Sequence, residues 1–461
     1  MASFLSKLAR LPTIAGGAPP AIEPAAPVAP KVAAPAPATR RPSLDELRDR
    51  IARIVARGPA PAPRADPAGG ELPFLVEHTA HGPLYVRRER AVPAARVGRA
   101  PLVAARDADP GMLALLALDP ALGGCDPRRA LYVDTETTGL AGGTGTVPFL
   151  LGMAWFDADA GAFVVEQALL RRLGEEAPIL ALFAERVAEA SMLVTYNGKA
   201  FDLPLLRTRF VMNRIAPPKE PPHLDLVHLA RRIHRTRLVT RTLVAIEAEI
   251  LGRVRVGDVA GGDIVATYAH FLRTGDEEAL LGVVEHNVAD VLAMVALVGL
   301  YGEPLGRAED PAEEPRDLYT PAALDGADLA GVAHTLRRAG AMDLAAELAD
   351  AAVARGGGAV ARRTRGDIAK ARGDKARALS DYEALAAEVD DPSVRLALVK
   401  LYEHHVCAYA EALALLERGT GEDDEASGRR KQRLERKLSA RVAVLPGSEA
   451  PPKRRRRARS P

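Results

Sequence analysis

Asp134 and Glu136 end an apolar run, Leu131-Tyr-Val-Asp-Thr-Glu136. Their spacing of two puts both carboxylates on one face of a strand. A sheet that buries Leu131 and Val133 tolerates two such neighbours only when cations or donors compensate them. Hard divalent ions such as magnesium or manganese suit oxygen ligands. Acid pairs on exposed strand ends are also common, so this pair alone proves nothing. Two later segments extend it. Leu193-Val-Thr-Tyr-Asn-Gly-Lys-Ala-Phe-Asp202 runs from a short apolar strand through the Asn197-Gly198 turn signal into an amphipathic stretch. Taken alone, Asp202 reads as the N-cap of that helix, with Pro204 in its first turn. Glu285-His-Asn-Val-Ala-Asp290 lies in a helical pattern from about 277 to 300, with Leu280, Val284, Val288, Val291, Val295 and Val298 forming one stripe. His286 and Asp290, four apart, share another flank, where a hydrogen-bonded structural pair is the plainer reading.

The elements expected around these residues are strands at 131–135, 147–156, 162–170 and 192–196, and helices at 176–190 and 202–214. Strands followed by alternation with helices imply an α/β mixed sheet flanked by helices. From about residue 317 the pattern is helical throughout. Gly373-Asp-Lys-Ala-Arg-Ala-Leu379 and Tyr409-Ala-Glu-Ala-Leu413 place Ala378 over Ala412 with a period of about 34, and Gly340-Ala-Met-Asp-Leu-Ala345 is a weaker copy. Tetratricopeptide-like helix pairs or an ordinary helical bundle both satisfy this. Repeats of that kind leave a concave face for a protein partner.

The ordered set Asp134, Glu136, Asp202, Asp290 resembles the DEDD superfamily of 3′–5′ exonucleases, which use a ribonuclease-H-like fold. The stretches Asp134-Thr-Glu-Thr-Thr-Gly-Leu-Ala-Gly-Gly-Thr-Gly-Thr146, Tyr196-Asn-Gly-Lys-Ala-Phe-Asp-Leu-Pro-Leu-Leu206, His223-Leu-Asp-Leu226 and His286-Asn-Val-Ala-Asp290 resemble its YprB-type branch. The resemblance covers residues 78 to 303 and implies hydrolysis of phosphodiesters at a nucleic-acid 3′ end, DNA or RNA, with two Mg2+ or Mn2+ ions. In such sites one ion activates water and the other holds the leaving oxygen. The resemblance makes Asp134 the bridging ligand, assigns Glu136 and Asp290 to the water-activating ion, and gives Asp202 to the leaving-group ion. In the superfamily the last aspartate follows a Tyr by four positions or a His by five. His286 has the Tyr-type spacing, and orienting or deprotonating the attacking water is the role it would take. A catalytically retired scaffold, acting through its helical repeats, is the alternative.

Other polar groups have plainer readings. Gly142-Gly-Thr-Gly-Thr146 lacks the Gly-Lys-Ser/Thr ending of a phosphate loop and reads as a hairpin turn. His223, Asp225, His228 and His234 fit no usual zinc spacing, and Asp225 reads as a strand-end or cap residue near the cleft. His404-His405 reads as a solvated helix face. Arg231, Arg232, Arg235 and Arg237 could hold a nucleic-acid backbone or face solvent.

With 461 residues, two or more domains are expected. The expected division is an Ala/Pro-rich disordered region over 1–77 with a short helix near 43–57, the nuclease-like domain over 78–303, a linker over 304–316, helical repeats over 317–445 and a basic tail over 446–461. A chain ended near Pro315 is therefore expected to keep its core. A formal charge of +2, from 62 basic and 60 acidic residues, does not announce a nucleic-acid binder. The two cysteines, Cys125 and Cys407, exclude a disulfide framework and fit a reducing cytoplasm. No apolar run is expected to reach the roughly 18 residues of a membrane span, so no membrane is expected as a partner.

Overall fold

The computed structural model describes residues 72–92, 94–139, 145–303 and 324–442. The expected helix near 43–57, the linker over 304–316, the basic tail and the centre of the Gly142–Thr146 turn lie outside them. Among the described residues, nine strands run in chain order as Leu75–Thr79 (β1), Gly82–Arg90 (β2), Arg96–Val97 (β3), Ala100–Pro101 (β4), Ala130–Thr137 (β5), Pro148–Asp157 (β6), Ala162–Leu169 (β7), Met192–Thr195 (β8) and His223–Asp225 (β9). Seven of them form one sheet, ordered β1-β2-β7-β6-β5-β8-β9. Pairing is antiparallel from β1 to β5, then parallel through β8 and β9. The sheet thus begins at Leu75, slightly before the expected start at 78.

Among the described residues, the helices of this region are Pro110–Ala117 (α1), Ala177–Glu189 (α2), Asp202–Met212 (α3), Leu226–Ile233 (α4), Leu243–Ile246 (α5), Gly261–Thr274 (α6) and Glu278–Tyr301 (α7). Both faces of the sheet are covered. Ala130 and Tyr132 of β5 enter one apolar cluster, while Leu131 and Val133 enter the other. That is the period-2 alternation of a strand buried on both sides. Helix α7 serves both clusters: Leu280, Val283 and Val284 belong to the second, and Val291 through Val298 to the first. His286, Asn287 and Asp290 fall at the changeover. The expectation of no membrane-length run is corrected here, because α7 is long and apolar enough to cross one. Most of its apolar window is instead packed inside the protein.

Beyond the α/β region come Gly326–Arg338 (α8), Met342–Ala354 (α9), Gly358–Arg372 (α10), Lys375–Glu388 (α11), Pro392–Leu401 (α12), Tyr409–Glu417 (α13) and Asp424–Val442 (α14). Aspartates at 325, 374 and 391 accept backbone N–H bonds at the starts of α8, α11 and α12. Ala345, Ala378 and Ala412, the small residues of the sequence repeat, are each fully buried. Leu329, Ala330, Val332, Ala333 and Leu336 of α8 share one core cluster with Leu229 and Ile233 of α4 and with α7. A Cβ at Gly331 would stand 2.2 Å from the Ile233 carbonyl oxygen, so only glycine permits this approach. Buried polar groups add to the join: His234 Nδ1 meets Asp328 Oδ1 at 2.7 Å, and its Nε2 meets the Tyr301 hydroxyl at 2.9 Å. The helical region thus shares buried residues with the α/β region, a join that the expected linker over 304–316 did not suggest.

Candidate active site

The four expected acids and His286 open on one cavity of about 560 Å³. Asp134 and Glu136 project from the end of β5, where the register with β6 shifts between Glu136 and Thr137. Asp202 is the first residue of α3, and its carboxylate accepts from the Thr135 hydroxyl at 2.5 Å. The N-cap reading of Asp202 is thus replaced, since Phe201 holds the cap position without a side-chain bond. The turn before α3 is held from β9: Asp225 accepts from the N–H groups of Asn197 and Lys199 at 2.6 and 3.0 Å, and caps α4 through Val227 at 3.3 Å. Asn197 takes a left-handed backbone, φ 72°.

His286 is oriented from outside the expected set. Its Nδ1 lies 2.6 Å from Asp258 Oδ1. Its Nε2 faces the cavity, 3.6 Å from Asp290 Oδ2 and 3.9 Å from Glu136 Oε1. Arg255 is the larger surprise. Its side chain is buried, pairs with the fully buried Glu247, donates Nη2 to Asp290 Oδ1 at 2.5 Å and lies 3.3 Å from Asp258. One segment, 253–258, thus braces both chemistry-bearing residues of α7.

Crowding shows in the acids' proton affinities. Burial, followed by the charges of Asp290, Glu136 and Asp202, holds the Asp134 carboxyl well above the ordinary carboxylate range. Burial likewise pushes Glu136 up to about 7 and Asp202 up to about 6. Such a set of four oxygen donors, with only Arg255 and His286 beside it to offset the charge, fits hard divalent cations by its chemistry. Among the described residues, however, no three histidine, cysteine or carboxylate side chains are grouped closely enough to hold one ion as they lie. Arg255 already engages one oxygen of Asp290.

The rest of the cavity wall is mixed: Thr137, Thr146, Asn197 and Thr208 line it together with an apolar patch of Phe201, Pro204, Leu205 and Ile264, and Phe201 is 55% exposed. The four residues that suggested zinc do not meet around an ion. His223 bonds Thr195 at 2.8 Å, with burial pulling its pKa down to about 4; His228 is exposed; His234 is committed to Asp328 and Tyr301. Arg232 and Arg237 bond backbone carbonyls of Leu116 and Glu249, whereas Arg231 and Arg235 are exposed. His404 and His405 are exposed, as expected.

Comparison with known proteins agrees with this geometry. Residues 131–301 match a family model described as RNase_H superfamily. Over 176 residues the chain is 39% identical to the uncharacterized protein YprB of Bacillus subtilis, a match covering 38% of this chain and 42% of that protein. The chain therefore spans less than half the length of this relative.

Proposed function

We propose that this chain is a metal-dependent 3′–5′ exonuclease acting on DNA or RNA, with Asp134, Glu136, Asp202 and Asp290 as ligands for two Mg2+ or Mn2+ ions. The convergence of these acids and His286 on one cavity, in a domain of the RNase_H superfamily, carries the reading. Divalent cations bound there would supply Lewis acidity toward a phosphodiester and activation of water.

The chain's own residues do the rest. Asp258, holding Nδ1, leaves His286 Nε2 on the cavity side, able to orient a water or take its proton. The tie from Thr135 fixes Asp202 at the start of α3, and the apolar patch beside it offers a base a face to stack on without selecting its identity. The helix pairs α8–α9, α10–α11 and α12–α13 are assigned to tetratricopeptide-like repeats that recruit substrate or a protein partner. Free Cys125 and Cys407 suit a cytoplasmic setting.

The engagement of Asp290 by Arg255 favours a second reading, a retired scaffold that works through its helices. Incubating the full chain with end-labelled DNA and RNA oligomers and manganese separates the two. The exonuclease shortens them and EDTA stops it; the scaffold leaves them intact.

A further inference from the structure

One cross-strand row links the sheet's interior to Asp134. Arg87 of β2 pairs with Gln167 of β7, Gln167 with Gly152 of β6, and Gly152 with Asp134 of β5. The gap above Gly152 is filled from α7: a Cβ there would stand 2.1 Å from Asn287 Oδ1 and 2.7 Å from its Nδ2. No other residue type leaves space for that amide.

The amide has one consistent orientation. Gln167 Nε2 donates to the Val284 carbonyl at 2.9 Å, which fixes which end of its own amide is the donor. The same Nε2 donates to Asn287 Oδ1 at 2.8 Å, and Asn287 Nδ2 is thereby turned to donate to Asp134 Oδ2 at 2.8 Å. At the far end Arg87 Nη1 donates to Gln167 Oε1 at 3.3 Å. Gln167 and Asn287 are essentially fully buried, so water does not compete for these bonds.

We propose that Asn287 is a positioning residue for the metal site, turned by Gln167 and accommodated by Gly152, which holds Oδ2 of Asp134 and leaves Oδ1 for the cation. The proposal rests on the metal-site reading above. Outer partners that orient ligands typically contribute about 10–100-fold to metal affinity or activity.

The test is Mn2+ binding to the full chain by titration calorimetry, for wild type, Asn287→Ala, Gly152→Ala and the double variant. Each single variant is expected to bind Mn2+ about 10–100-fold more weakly. The double variant should bind no more weakly than Asn287→Ala, because Gly152→Ala acts only by displacing that amide. Gln167→Leu, combined with Asn287→Ala, provides the same cycle should Gly152→Ala fail to fold. Single variants that bind like wild type, or losses that multiply in the double variant, overturn the proposal alone. Wild type that binds no Mn2+ overturns it together with the metal-site reading.

Discussion

Arg255 lies against Asp290, Nη2 to Oδ1 at 2.5 Å, within a site otherwise crowded with carboxylates. The guanidinium also pairs with Glu247, so the last expected ligand is tied to a buried ion pair. Removing one partner of such a pair leaves the other as an uncompensated buried charge, at a cost of about 3–5 kcal/mol. Arg255→Gln should therefore destabilise the protein by about 3 kcal/mol in urea unfolding, with Arg253, 3.3 Å from Glu247, offsetting part of the loss. Adding Glu247→Gln should restore much of it. An unchanged midpoint in the single variant would show that the pair contributes nothing to folding.

His286 turns on Asp258. His286→Ala should lower turnover about 10²–10⁴-fold while Mn2+ still binds. Asp258→Asn, which keeps the imidazole but loses the carboxylate on Nδ1, should give a smaller loss in the same parameter. Single-turnover rates check both. Equal rates in all three proteins would reduce His286 to a structural partner of Asp258.

The raised carboxyl groups make the metal-free protein sensitive to pH. Glu136 and Asp202 titrate at about 7 and about 6 in the folded state, against ordinary values of 4.5 and 3.8. Between those limits the folded chain holds more protons than the unfolded one, so stability falls as pH rises. Their contribution is complete below about pH 4 and is lost through about pH 6–7. In EDTA the melting temperature should drop between about pH 5.5 and pH 8, and Mn2+ should reverse the drop at pH 8. Asp134→Asn, by removing another carboxyl that burial raises, should flatten the dependence. A wild-type melting temperature that climbs over this interval contradicts the assignment.

What the sequence disclosed was the chemistry-bearing set and the strands beneath it. Asp134, Glu136, Asp202, His286 and Asp290 stand out because carboxylates and a histidine interrupt apolar patterns. Strands β5 to β8 and helices α2 and α3 keep clean periodicity, and their ends fall within a few residues of expectation. Strands β1 and β2 escaped notice because the charged run Arg87–Arg90 hides their alternation. Arg255 and Asp258 sit in a loop, where no period reveals which side chain turns inward. Asn287 resembles any polar residue of a helix. A lone glycine at 152 within an apolar strand was the one available sign of a close approach.

The union of the helical region with the sheet is a tertiary fact of the same kind. Gly331 meets the Ile233 carbonyl with no space for a side chain. Gly331→Val should therefore force α8 from α4 and destabilise the whole molecule by about 1–3 kcal/mol, the usual scale of overpacking. A chain ended at Pro315 should lose cooperative unfolding, since it uncovers Leu229 and Ile233 and strips His234 of Asp328. Calorimetry of the two proteins checks this. A sharp, wild-type-like transition in the shortened chain would show that the α/β region stands alone.

The central claim meets its most direct test in the products formed from a single-stranded oligomer labelled at its 5′ end, incubated with the full chain and Mn2+. Cleavage from the 3′ end yields a descending ladder of 5′-labelled fragments that shorten one nucleotide at a time, and the ladder vanishes in EDTA and in Asp134→Asn and Asp202→Asn. An intact oligomer, a ladder that persists in EDTA or in both variants, or immediate release of a labelled mononucleotide would contradict it.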